Sequence, residues 1–174
     1  MKRIESDNPF LRGKLVPWPM EGEIRDCVVE GAIPAELAGT YYRNGANPQY
    51  PQLASYHVFD GDGMIHAFEI AGGVCRYRNR RVRTERFKAE RAAGERLFNG
   101  LMSGLPPNPR TEGVSGNTAN TNILWHGGRL LALWEGGPPT ELEPDTLATL
   151  GVHDFDGELA RPNTGGSVTA HPKI

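Results

Sequence analysis

The chain has 174 residues, a formal net charge of −2 and 38% hydrophobic residues; this suits one ordinary domain and leaves no electrostatic case for nucleic acid or an anionic surface as partner. No stretch approaches the ~20 apolar residues of a membrane span, and the opening "MKRIESDNPF" has no apolar centre of a secretory signal. Two cysteines, Cys27 and Cys75, stand outside any CxxC motif and suit a reducing compartment, so a soluble, cytoplasmic protein is expected.

Residues 1–32 read as an N-terminal arm, largely polar and punctuated by Pro9, Pro17 and Pro19. "IPAEL" (Ile33 to Leu37) is a turn-and-helix punctuation, and "TYYRNG" (Thr40 to Gly45) reads as a strand closed by an Asn-Gly turn. Then "YHVF", "DGDG", "MIHAFEI", "AGG" and "VCRYRNRRVRT" follow one another as a meander of β-branched and aromatic runs separated by Gly-rich turns. In the last of these, Val74 and Arg76 share one face and Cys75 and Tyr77 the other. The arginines from Arg76 to Arg86 read mostly as a solvated strand face. "ERFKAERAAGERLF" (Glu85 to Phe98) has helical composition, with Thr84 as its cap and Gly94 weakening it. Residues 99–116, rich in Gly and Pro, form a loop that crosses the surface or acts as a lid.

"TNILWH", "GG" and "RLLALWE" (Thr121 to Glu135) make the clearest hairpin, and "TELEPDTLATLGVHDFDGEL" adds two short strands around a turn at Pro144-Asp145. Short strands recurring every ~8–12 residues with little helix point to an all-β sandwich, barrel or propeller. At roughly 40–50 residues per blade, a propeller of this length holds about three to four blades.

Chemistry is sparse at the level of local motifs. The five histidines (His57, His66, His126, His153 and His171) form no HExxH and no pair with local ligand spacing, so each read alone is structural. "DGDGM" and "DFDGE" begin like calcium loops, but position twelve is Ala71 in one and Gly165 in the other, where a glutamate is needed. Both read better as Asp-Gly turns. Glu135 closes the apolar strand "LLALWE"; a carboxylate there is either exposed or held by a partner such as an imidazole N–H.

Taken together, "IPAELAGTYYRNGANPQY", "YHVFDGDGMIHAF", "NTANTNILWHGGRLLALWEGGPPTELEPDTLATLG", "HDFDGEL" and "TAHPK" occur in an order that resembles the N-terminal part of the carotenoid cleavage oxygenases, a family that also holds stilbene-cleaving dioxygenases and a vertebrate retinoid isomerase. The resemblance runs from about Ile33 to Ile174. It implies a partial seven-bladed β-propeller with loop or helical cap elements over residues 33–174. It also implies Fe(II) held by four histidines from different blades, and O2-dependent cleavage of a carbon–carbon double bond. Residue by residue, His171 of "TAHPK" matches the first iron ligand, and Glu135 of "LWEGG" matches a glutamate that fixes a ligand imidazole. Thr121 matches a threonine facing an open iron position, and Trp134 an aromatic of the substrate tunnel. His57, His66, His126 and His153 match no ligand.

The resemblance further implies a lipophilic polyene as substrate and peripheral membrane contact for collecting it. Stilbene-cleaving members generally carry lysine directly before the glutamate, to help ionise a phenol; Trp134 stands there instead, which favours a carotenoid or apocarotenoid. "RVRTERFKAER" is also similar to the stilbene-cleaving members, so a phenolic substrate is the alternative. The other iron ligands of the family lie beyond Ile174, so the 174-residue chain alone is expected to be inactive, or a non-catalytic remnant of a β-repeat.

Overall fold

The computed structural model describes residues 6–50, 56–160 and 166–173. Among these described residues, eight strands and one α-helix follow one another: β1 (Gly22–Ile24), β2 (Gly39–Ala46), β3 (Gly63–Ala71), β4 (Val74–Arg81), α1 (Glu85–Ala93), β5 (Asn122–His126), β6 (Arg129–Leu133), β7 (Thr140–Leu142) and β8 (Thr149–Val152). They form two four-stranded antiparallel sheets, sheet A in the order β1-β4-β3-β2 and sheet B in the order β5-β6-β7-β8. Two sheets therefore stand where three to four blades were expected. The difference lies in the stretch between β4 and β5, where α1 and a long irregular crossing take residues that strands would need.

The hairpin turns obey local chemistry. Gly72 and Gly73 join β3 to β4 with φ of 57° and 79°, and Gly127 and Gly128 join β5 to β6 with φ of 57° and 75°; two successive positive φ values give the turn whose twist matches an antiparallel pair. The expected Asn44-Gly45 turn does not form. Both residues lie inside β2, opposite Ile65 and Met64. The Asn44 amide instead donates to the Ala119 and Asn122 carbonyls, 2.8 Å each, and so ties sheet A to the start of β5.

A shared core lies between the sheets. Ile65, Ala67 and Val82 from the sheet A side meet Leu130, Ala132, Leu142 and Leu147 from the sheet B side, each large aliphatic side chain contributing about 2 kcal/mol by leaving water. A second cluster on the far side of sheet B joins Leu131 and Leu133 to Ala170. Thr84 caps α1 by accepting from the Phe87 amide at 3.2 Å, and Gly94 ends it at φ 72°.

The arginine run is less solvated than its pattern suggests. Arg78 and Arg80 meet Glu23 of β1 at 3.0 and 2.6 Å, but Arg81 and Arg86 are buried. Arg81 donates to the Asn47 and Trp18 carbonyls, and Arg86 to the Asp60 carbonyl at 2.9 Å. Burying these cations is tolerable because backbone oxygens accept their hydrogen bonds, with Glu90 4.0 Å from Arg86 as well. No helix among the described residues is long and apolar enough to cross a membrane.

Candidate functional site

The site is built at one end of the β5/β6 hairpin. β6 is wholly buried from Leu130 to Leu133, then surfaces at Trp134 and Glu135. Opposite it, the Thr121 amide donates to the Leu133 carbonyl at 3.1 Å. Thr121 and Trp134 therefore lie across from each other at the same strand ends, and Glu135 comes one residue later.

The segment holding His171 docks onto this end. The Val168 amide donates to the Gly137 carbonyl at 3.3 Å, and the Asn122 amide group donates to the Ala170 carbonyl at 2.9 Å. Ala170 itself is fully buried against Leu131 and Leu133. With Ala170 anchored, His171 reaches Glu135: Nδ1 lies 2.7 Å from Oε1. Both side chains stay open to solvent, at 72% and 53% exposure. The His171 hydrogen bond, the Ala170 N–H and the Thr169 side chain together hold the Glu135 carboxyl below the usual carboxylate range.

An ionised carboxylate can only accept, so Nδ1 carries the proton, and in the neutral imidazole Nε2 then presents its lone pair away from Glu135. Nε2 has no hydrogen-bond partner among the described residues. That is the donor a metal ion needs, and the Glu135 contact is the kind that orients a ligand imidazole. Among the described residues no group of three or more His, Cys, Asp or Glu could hold a metal ion; His171 by itself offers one nitrogen. The other four histidines have different settings. His57 accepts from the Phe59 amide at 3.3 Å, His66 pairs with the Tyr77 hydroxyl at 2.7 Å, and His153 lies 3.4 Å from Glu141; His126 ends β5 in an exposed position.

Trp134 is shaped by the glycines after it. A Cβ on Gly136 would stand 2.5 Å from the Trp134 ring, so the indole folds over Gly136 in space that a larger residue there would fill. Thr121 donates to Asn120 Oδ1 at 3.2 Å and is otherwise exposed.

The residues that sequence reasoning missed are the asparagines of "NTANTN". The Asn117 side chain donates to the Pro138 carbonyl at 2.8 Å, and Asn120 to the Phe59 and Gly61 carbonyls at 2.8 and 2.7 Å; Asn122 holds Ala170 as above. One short polar loop thus pins β3's approach, the segment after β6 and the His171 segment. The density of asparagines between strands was the available signal, since their short amides bond backbone groups near turns.

Residues 16–174 match the family described as retinal pigment epithelial membrane protein. The chain is 41% identical over 99% of its length to isoeugenol monooxygenase of Pseudomonas nitroreducens, and 42% identical over 99% to apocarotenoid-15,15'-oxygenase of Synechocystis. It spans 35% and 36% of those proteins, about one third. A lignostilbene dioxygenase from Pseudomonas brassicacearum superposes with a TM-score of 0.87 at 34% identity, over 96% of this chain and 34% of that one. Solved variants of the Synechocystis oxygenase replace a threonine, a tryptophan and the glutamate after it, spaced as Thr121, Trp134 and Glu135 are spaced here.

Proposed function

The chain belongs to the family of the retinal pigment epithelial membrane protein and the carotenoid cleavage oxygenases, and from that premise we propose that it forms part of an Fe(II)-dependent dioxygenase that splits a carbon–carbon double bond of a carotenoid or apocarotenoid with O2. The observation that carries this reading is the 2.7 Å contact between Glu135 and His171 Nδ1, which leaves Nε2 as a free donor. Fe(II) bound there, with further ligands from outside these residues, would supply a place for O2 to react beside the substrate.

This chain's own residues prepare the place. Glu135 keeps the imidazole in one tautomer and one orientation. Thr121, at the same end of the hairpin, offers a small side chain beside that position. Trp134 offers a flat apolar face suited to stacking on a polyene, which also keeps water from reactive species. The whole domain is read as the beginning of a seven-bladed propeller, residues 1–32 as its arm and 33–174 as its first blades, in a cytoplasmic protein that touches a membrane to collect lipophilic substrate.

The phenolic alternative has its own support, because the isoeugenol and lignostilbene enzymes are as similar to this chain as the apocarotenoid enzyme is. Trp134 separates the two. A tryptophan cannot stabilise a phenolate as a cation does. A protein of family length carrying this segment, loaded with Fe(II) and given O2, is expected to convert an apocarotenal to two shorter carbonyl products and to leave a hydroxystilbene intact. Trp134→Lys should shift the preference toward the hydroxystilbene by about tenfold, the scale of one charge-assisted contact. Cleavage of the hydroxystilbene alone by the unsubstituted protein would overturn the carotenoid reading.

A further inference from the structure

The two cysteines, far apart in sequence, meet in the fold. After β1 the arm continues beside the start of β4, and the Cys27 amide donates to the Cys75 carbonyl at 2.8 Å. The β1/β4 register, carried past Ile24 and Tyr77, would set Asp26 opposite Cys75, so this bond marks a one-residue slip that brings the two cysteine backbones side by side. Backbones joined by such a bond bring their Cα atoms to roughly 5–6 Å, within the range a disulfide spans. Burial, followed by the neighbouring Cys75 thiol, holds the Cys27 thiol above its usual range. Both residues are half-buried and both thiols are free, so small reagents reach them. Among the described residues no third ligand joins them in a group able to hold a metal ion.

Up to β1 the arm is well held, by Asn47 on Trp18, Asn79 on Met20 and Gly22, and Glu21 on the Arg81 amide; past Ile24 the described residues show little else. β1 pairs with β4 over three residues only, Gly22 to Ile24, aided by exposed ion pairs that stabilise weakly. Beyond Cys27 the arm is open, with Val28 97% exposed. Trp18, Ile24 and Cys27 of the arm line a groove of about 550 Å3 together with Arg43, Phe68 and Tyr77 of sheet A.

We propose that Cys27 and Cys75 form a reversible cross-strand disulfide that fastens the N-terminal arm to sheet A. The oxidant is a low-molecular-weight disulfide. One cysteine thiolate attacks a sulfur of the reagent and expels one thiolate, giving a mixed disulfide. The second cysteine, as thiolate, attacks the protein sulfur of that bond, closes the internal disulfide and expels the second thiolate. Two protein thiols are oxidised, one reagent disulfide is reduced to two thiols, and the two cysteine protons pass through solvent to the leaving groups. The bond would fasten the stretch of the arm that follows β1; reduction would leave that stretch tethered at β1 alone.

The folded chain is incubated with oxidised glutathione and followed by thiol titration, intact mass and non-reduced peptide mapping. Expected are the loss of both thiols, a monomer lighter by two hydrogens, and a peptide pair joining Cys27 to Cys75, all reversed by dithiothreitol. Protease cleavage between residues 25 and 38 should slow by at least about tenfold, as a closed loop suppresses local opening. In Cys75→Ser, Cys27 should carry glutathione and the protection should vanish. Separate glutathione adducts on the unsubstituted chain, intermolecular pairs, or thiols that persist would each overturn the proposal. So would protection that survives in Cys75→Ser. Should that variant fail to fold, the peptide map of the unsubstituted chain decides alone.

Discussion

Sheets A and B have the same four-stranded antiparallel form but keep their charges differently. Sheet B runs β5-β6-β7-β8 in chain order and ends in an exposed carboxylate–imidazole pair. Sheet A borrows its outermost strand from the arm, more than fifty residues before its partner. Beside exposed pairs such as Arg76–Glu69 it buries charge at its border with α1, where Glu90 accepts from the Leu97 and Phe98 amides at 3.0 Å each and Asp60 accepts from the His57 and Leu101 amides. Charge inside sheet A's border is consumed by backbone groups and serves the fold. Charge at the end of sheet B keeps an unused donor and can serve chemistry. A buried ion must be partnered to be tolerated, whereas an exposed one is free to exchange its partners.

The seam between the sheets is where this contrast is easiest to break. The Gly63 amide donates to the Thr118 carbonyl at 2.8 Å, and a Cβ on Gly63 would stand 2.2 Å from the Ala119 carbonyl oxygen. That oxygen belongs to backbone and cannot swing away. Ala119 is itself held at φ 46° by an Asn117 cap at 2.8 Å. Gly63→Ala should therefore force the asparagine loop off β3 and cost about 2–4 kcal/mol, measured as a shift in urea midpoint at unchanged slope. Loss below about 0.5 kcal/mol would mean the two sheets are not rigidly seated on each other.

The same contrast explains what could be read from the sequence. Sheet B was legible because its pairings are local: an apolar hairpin around Gly-Gly, then two short strands around Pro144-Asp145. The β3/β4 hairpin was legible for the same reason. β1 was not, because "GEI" carries no strand pattern of its own; its short pairing with β4 is supported by Asn79, whose side chain accepts from the Gly22 amide at 2.7 Å, and by Glu23 meeting Arg78 and Arg80. Asn44-Gly45 misled because it is the strongest local hairpin signal, and the seam overrode it. Arg81 and Arg86 misled because alternating charge is the signature of a wet face, while their partners are backbone carbonyls that no composition displays. At the site, Glu135 was recognisable as a carboxylate ending an apolar strand, but its partner thirty-six residues on came only from the family resemblance.

A smaller effect is expected at the latch that belongs to sheet B alone. Asn122→Ala removes the 2.9 Å bond to the Ala170 carbonyl while leaving the Asn122 backbone to accept from Asn44. The cost should be about 1–2 kcal/mol, since a buried carbonyl loses its donor. Hydrogen exchange at the Ala170 and His171 amides should quicken, with no change at the amides of β3. Equal loss of protection in β3 would show that the two sheets open as one unit and that the contrast drawn between them does not extend to dynamics.

The smallest effect is at the exposed pair itself, and its sign follows from linkage. The folded Glu135 carboxyl titrates below its ordinary value of 4.5, first because of the His171 hydrogen bond and then because of the Ala170 N–H. Between the folded and ordinary values the unfolded chain binds more protons, so the contribution to stability is fully present above pH 4.5 and is lost as pH falls through the folded value. Solvent exposure keeps that contribution small, which makes the titration itself the better observable. In an NMR pH titration the Glu135 carboxyl should move below 4.5, and the His171→Ala variant should bring it back up part of the way, leaving the Ala170 donation as the remainder. Glu135→Gln should in turn release the tautomer, so that Nδ1 and Nε2 of His171 share the proton in the 15N spectrum, whereas with Glu135 present the proton stays on Nδ1. An unchanged tautomer in Glu135→Gln would assign the orientation of the imidazole to the anchored backbone of Ala170, and the end of sheet B would then be governed, like the border of sheet A, by its backbone bonds.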